Sequence, residues 1–141
     1  MREILFRGKR TDNGEWVEGF IVTSRENTYP NGFEMITVDG INYDELDNYI
    51  PDFISYAVDP STVGQYTGLK DKNGKRIFEW DIVNTDKFSE PNKQYIIKYD
   101  LQFGAFIGQD RYNVYFVTFD GDSGEFEVIG NIHDNPELLE K

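Results

Sequence analysis

At 141 residues the chain has the length of one ordinary domain or of two very small β modules, and folding at that size needs no disulfide or metal staple. The absence of cysteine excludes a disulfide framework, thiolate zinc sites and a cysteine nucleophile together. A net charge of −12 repels phosphate backbones and argues against non-specific nucleic-acid binding, while an aromatic content of 16 % marks a folded acidic protein rather than an acidic tail.

In chain order, turn chemistry dominates. Asn13-Gly14, Asn31-Gly32, Asp39-Gly40, Asn73-Gly74 and Asp120-Gly121 supply residues that accept positive φ, as tight hairpins demand, and each lies between β-favouring runs. A first hairpin is predicted from Glu3–Arg10 and Trp16–Thr23, and a second from Ile21–Tyr29 and Phe33–Val38. Leu46, Tyr49, Ile50 and Phe53 fall at helical spacing, so Tyr43–Phe53 is predicted to hold one short helix, limited by Pro51. Further strands are predicted at Thr62–Tyr66, Lys75–Phe78, Ile82–Asn84, Tyr95–Tyr99, Ala105–Ile107, Asn113–Phe119 and Phe126–Ile132. Asn135 is placed to cap a closing helical turn with Pro136 at its first position, so that Leu138 and Leu139 close the core. The reading is a mainly β chain with little helix. An N-terminal β-hairpin region with an acidic segment spans 1–59, and a small barrel with a C-terminal helical turn spans 60–141.

The charge is segregated. Residues 1–10 and 70–76 each sum to +3, which leaves −18 on the remainder, and neither 34–59 nor 120–140 contains a basic residue. The loop Gly68–Lys75 is glycine- and lysine-rich, but the spacing and the Arg76 that follows Lys75 fail the phosphate-loop pattern. Leu69 and Trp80 occupy ligand positions of a calcium loop and spoil that pattern too. His133 is the single histidine, and no serine lies in a nucleophile turn. No lysine follows an acidic residue by two positions, which removes one common nuclease signature; the carboxylates Asp44, Glu45 and Asp47 read as a solvated face. No catalytic residue, metal site or cofactor is therefore assigned. In Ile77–Val83, Asp81 is expected to bond backbone at a strand entry.

The run VGQYTGLKDKNGKRIFEWDIV, Val63 to Val83, resembles the YopX family of phage and prophage proteins. The opening MREILFRGKR and the ending EVIGNIHDNPELL, Glu127 to Leu139, are similar to the two ends of that family. The resemblance implies an SH3-like β-barrel, an origin in a mobile element and no catalytic residues to carry over. Where the family has glycine between its acidic pair, this chain has Trp80, which is expected to be at least partly buried, so that Trp80→Gly would cost roughly 3–5 kcal/mol.

The leading functional expectation is an accessory protein acting by protein binding or self-assembly, with a homo-oligomer among the outcomes. Its candidate contact residues are Arg7, Lys9, Arg10, Lys70, Lys72, Lys75, Arg76 and Trp80, and the two basic segments together would make a +6 patch. The alternatives are a metal-dependent hydrolase of nucleic acid or nucleotides, and an acidic DNA mimic that occupies a host protein. The opening residues have no apolar run of signal-peptide length and no stretch approaches the about 20 apolar residues of a membrane span, so the bacterial cytoplasm is the expected location and no membrane partner is expected.

Overall fold

The computed structural model describes residues 3–23, 34–43, 46, 49–85, 93–110, 115–117 and 126–139. The chain is mainly β and divides into two compact units, Glu3–Gln65 and Tyr66–Lys141.

In the first unit, β1 (Phe6–Lys9), β2 (Trp16–Thr23), β3 (Glu34–Tyr43) and β4 (Tyr49–Val58) form an antiparallel meander. The Asn13-Gly14 turn is built as its sequence demands, with Gly14 at φ +72° and its N–H donated to the Arg10 carbonyl at 3.0 Å. The meander curls until its ends meet. Arg10 bridges Val58, the Thr11 N–H donates to the Ala57 carbonyl at 3.0 Å, and the Asp59 N–H donates to the Lys9 carbonyl at 2.8 Å. Closure brings β1 so close to β4 that any side chain larger than hydrogen at position 8 would press on its neighbours. A Cβ there would stand 3.0 Å from Val58 Cβ and 3.2 Å from Ile36 Cδ1, both side chains being buried. A 3₁₀ turn at Pro60–Thr62 follows, capped by the Asp59 carboxylate, and Thr62 Oγ1 accepts the Lys9 N–H at 2.9 Å.

The helix predicted over 43–53 is not formed. β3 runs to Tyr43 and β4 starts at Tyr49, with Pro51 opposite Ile41. Pro51 shares the side of β4 on which the Ala57 carbonyl and the Asp59 N–H point away from β3, so its missing N–H costs the β3–β4 ladder nothing. Ladder hydrogen bonds satisfy the backbone of a whole strand, and they outweigh a helical spacing carried by four apolar residues. For the same reason Asp39-Gly40 is not a turn: both residues lie within β3, paired with Phe53 and Asp52. The turns expected at Asn31-Gly32 and Asp120-Gly121 lie outside the described residues.

β5 (Gly64–Lys70) pairs at Gly64 and Gln65 with β1, and from Tyr66 onward with β6 (Arg76–Phe78). Its register shifts between Tyr66 and Lys70, where Gly68 adopts φ +88°, so Gly68–Lys70 are bulged strand and the β5–β6 turn itself is only Asp71–Lys75. The second unit continues with β7 (Asp81–Thr85), β8 (Lys93–Asp100), β9 (Ala105–Gln109), β10 (Tyr115–Val117) and β11 (Phe126–Asn131), an antiparallel sheet in the order β10-β9-β8-β7-β11. Its core packs Ile77, Val83, Tyr95, Ile97 and Phe126 together. The closing turn at Pro136–Leu139 is present, but it buries no residue: Leu138 and Leu139 are half-buried and do not close the core. The Asn135 side chain turns back, its Oδ1 accepting the Asn131 N–H at 3.3 Å, so it ties the turn to β11 instead of sealing the sheet.

Two devices hold the second unit. Asp71, 6 % exposed, accepts the N–H groups of Asn73 and Lys75 on Oδ1 and of Val128 on Oδ2, stapling the β5–β6 turn to β11. Burial alone would push its carboxyl up; the Val128, Lys75 and Asn73 donors, with the charge of Lys75, outweigh that and hold it below the usual range. At the other end of β6, Asp81 is 1 % exposed and its Oδ2 accepts the Phe78 N–H at 2.8 Å, the strand-entry bond its position suggests. Between Phe78 and Asp81 the chain leaves the β5–β6 hairpin for the five-stranded sheet, and the corner requires a left-handed residue. That residue is Trp80, at φ +71°. Its N–H donates to the Ile97 carbonyl at 2.8 Å and its carbonyl accepts the Ile132 N–H at 3.0 Å, so β8 and the chain after β11 both pin the strained conformation.

Candidate partner-binding surface

Strand alternation puts Arg7 and Lys9 on one face of β1, and the hairpin register sets them opposite Glu18 and Trp16. Both cations consequently lie over the Trp16 ring, with Arg7 Cζ 4.7 Å and Lys9 Nζ 5.5 Å from its centroid. Arg7 is only 8 % exposed and serves as the inner cation; Lys9 is half-buried and nearer solvent. An indole face attracts a cation by its quadrupole, and the aliphatic stems cover the ring. Phe20 and Val22 follow Trp16 on the same face of β2 and are 56 % and 53 % exposed. Cationic and apolar contact groups thus share one strand face.

At the turn, the Arg10 guanidinium lies 4.3 Å over the Tyr56 ring and forms a two-pronged pair with Asp12, Nε to Oδ1 at 2.9 Å and Nη2 to Oδ2 at 2.6 Å. That hydrogen bonding raises the Arg10 pKa and lowers that of Asp12, although both groups are solvated. Beside it opens a groove of about 440 Å³ lined by Lys9, Arg10, Thr11, Gly14, Asp59 and Pro60.

The second basic segment belongs to the other unit and spends part of its charge internally. Lys72 Nζ pairs with Glu127 at 3.2 Å, and the Arg76 guanidinium lies 5.7 Å from the Tyr66 ring, which packs edge-on against Phe78. Lys70 and Lys75 are exposed on either side of the Asp71 turn. Trp80 is half-buried at the corner before β7. The structure therefore gathers Arg7, Lys9 and Arg10 around two aromatic rings, and Lys70, Lys72, Lys75 and Arg76 around a separate turn. Trp16, Tyr56, Phe20 and Val22 were not singled out from the sequence. For Trp16 the signal was there: an Asn-Gly hairpin register pairs it with Lys9. Among the described residues no three His, Asp or Glu side chains converge to hold a metal ion, and no helix is long and apolar enough to cross a membrane.

With this geometry in place, the family comparison decides the relationship. The family model described as YopX protein matches residues 5–140. The chain belongs to the YopX family. It is also similar to the crystal structure of protein EF1440 from Enterococcus faecalis, with 28 % identity and a TM-score of 0.61 over 99 % of each chain. No curated protein matches the chain.

Proposed function

We propose that this YopX protein is a phage or prophage accessory protein that works in the bacterial cytoplasm by binding another protein, and that the N-terminal unit makes the contact. The observation that carries the reading is the β1–β2 face. Lys9 and Arg7 over Trp16, with Phe20 and Val22 exposed along the same strand, combine charge with rigid apolar area, the mixture found where a protein partner is anchored. The partner is read as a protein surface carrying apolar side chains and a carboxylate for the half-buried Lys9, while the exposed Glu18 on the same face calls for a cation beside it. The Tyr66–Lys141 unit is read as a small SH3-like barrel. Short antiparallel strands, tight turns and the sharp corner at Trp80 support that reading.

The test is capture from bacterial lysate on immobilised protein. Wild type should retain a discrete protein at about 0.05 M salt and release it near 0.5 M, because exposed charge attraction is screened beyond a Debye length of about 8 Å at physiological salt. Lys9→Glu should lose that protein, and Lys75→Glu should keep it. Equal capture by wild type and Lys9→Glu would refute the assignment.

A further inference from the structure

The Asn13-Gly14 and Asn73-Gly74 turns are matched in backbone and differ in one hydrogen bond. Gly14 and Gly74 adopt φ +72° and +78°, a Cβ built on either would meet nothing within 4 Å, and both asparagines are exposed. Each glycine N–H donates at 3.0 Å to a carbonyl of its own turn, that of Gly14 to Arg10 and that of Gly74 to Asp71. The difference lies two positions after the asparagine. The Glu15 N–H donates to Asn13 Oδ1 at 3.0 Å, whereas the Lys75 N–H donates to Asp71 Oδ1 at 2.9 Å. The Asn13 amide is thus folded back over its own main chain in an Asx-turn, which encloses the Gly14 nitrogen. At Asn73 the Asp71 carboxylate has taken the equivalent donor.

We propose that Asn13 is a site of spontaneous covalent modification, deamidating through a cyclic imide faster than Asn73 does. The Gly14 nitrogen gives its proton to hydroxide from solvent and bonds to Asn13 Cγ. Its hydrogen bond to Arg10 must open first, but the bond from Gly74 to Asp71 imposes the same requirement and does not separate the two turns. As the ring closes, the electron pair of the side-chain carbonyl moves onto Asn13 Oδ1. The Glu15 N–H already points at that atom, within the range of about 2.7–3.1 Å at which a donor stabilises a developing oxyanion. Collapse of the oxyanion breaks the Cγ–Nδ2 bond, and the nitrogen takes a proton from water and leaves as ammonia. Water then opens the imide at either carbonyl to give aspartate or isoaspartate, and no electrons are gained or lost. Glycine at position 14 puts no side chain in the path of ring closure. Both products add a carboxylate to a turn in which Asp12 and Glu15 already outnumber Arg10, taking Arg10–Glu15 from −1 to −2. The isoaspartate also inserts a methylene into the main chain of the loop whose register sets Lys9 opposite Trp16. The chemistry needs no partner and is independent of the contact assigned above.

Peptide mapping by mass spectrometry tests this on the intact protein, incubated at mildly alkaline pH and digested at intervals. Conversion of amide to acid is followed at Asn13 and Asn73 in the same molecules, so each turn is the control for the other. In a dry active site one oxyanion donor is worth about 10²–10³ in rate, and a solvated turn keeps a small part of that, so Asn13 should convert at least about threefold faster than Asn73 in the folded protein. In urea at the same pH the two rates should converge, because both sites are then Asn-Gly in an open chain and the Glu15 and Lys75 donors are no longer held. Equal rates in the folded protein, or faster conversion at Asn73, overturn the proposal. A preference for Asn13 that survives urea unchanged overturns it as well, since the cause would be the neighbouring side chains and not the Glu15 N–H.

Discussion

Replacing Trp80 by alanine and by glycine separates the contribution of its ring from the strain in its backbone. A fully buried aromatic truncated to alanine costs about 3–5 kcal/mol. The ring here is half-buried, so either substitution removes packing energy of about half that size, roughly 1.5–2.5 kcal/mol. At φ +71° an L-residue carries a penalty of about 1–2 kcal/mol, which alanine retains and glycine sheds. Glycine returns part of that gain, about 0.4–1 kcal/mol, through the greater freedom of its unfolded chain. Trp80→Ala should therefore lose about 2 kcal/mol, and Trp80→Gly should be more stable than Trp80→Ala by about 0.5–1 kcal/mol. This reverses the usual order inside β structure and falls short of the roughly 3–5 kcal/mol that a buried plug would give. Urea unfolding followed by circular dichroism, fitted with one slope for all three proteins, measures the differences. An alanine variant as stable as the glycine variant would refute the strain argument. A loss above about 4 kcal/mol in both would show a ring buried far more deeply than half.

Three further outcomes follow from the packing. Asp71→Asn should cost about 2–3 kcal/mol at neutral pH, because an amide N–H₂ would face the Val128 N–H. The Asp71 carboxyl is depressed in the fold, so its contribution is complete above the ordinary value of 3.8 and disappears as pH falls through the lower folded value; acid titration should therefore narrow the stability gap between wild type and Asp71→Asn as the pH drops below the ordinary carboxylate range. Gly8→Ala should destabilise by about 1–3 kcal/mol through the 3.0 Å approach to Val58 Cβ, and Val58→Ala in the same chain should recover part of that loss in a double-mutant cycle. Gly130→Ala should displace the Asn135 side chain, whose Oδ1 would lie 2.5 Å from the new Cβ, and hydrogen exchange at the Asn131 amide should accelerate while the core amides stay protected.

Much of the β framework was legible because turn residues and alternation act locally. Asn13-Gly14 and Asn73-Gly74 set two turns, and the strands around them follow from period-two patterning. What failed was non-local. Tyr43–Phe53 carries a helical spacing, yet pairing with β3 decides its conformation. Asp39-Gly40 has turn chemistry, yet a neighbouring strand continues past it. The bulge at Gly68 and the left-handed Trp80 are demanded by the path of the chain between sheets, which no window of sequence contains. The surface shows the same division. Lys9 and Arg10 were visible as charges, but the Tyr56 ring under Arg10 lies far along the chain and is brought there by closure of the first unit.

The most direct measurement of the central claim is a titration of the captured partner against wild type, Lys9→Glu and Lys75→Glu at several salt concentrations. Binding through the β1–β2 face predicts that Lys9→Glu weakens affinity by about tenfold or more and flattens its salt dependence, whereas Lys75→Glu stays within about twofold of wild type. Equal affinities for wild type and Lys9→Glu, or a loss confined to Lys75→Glu, would contradict the account and move the contact to the other unit.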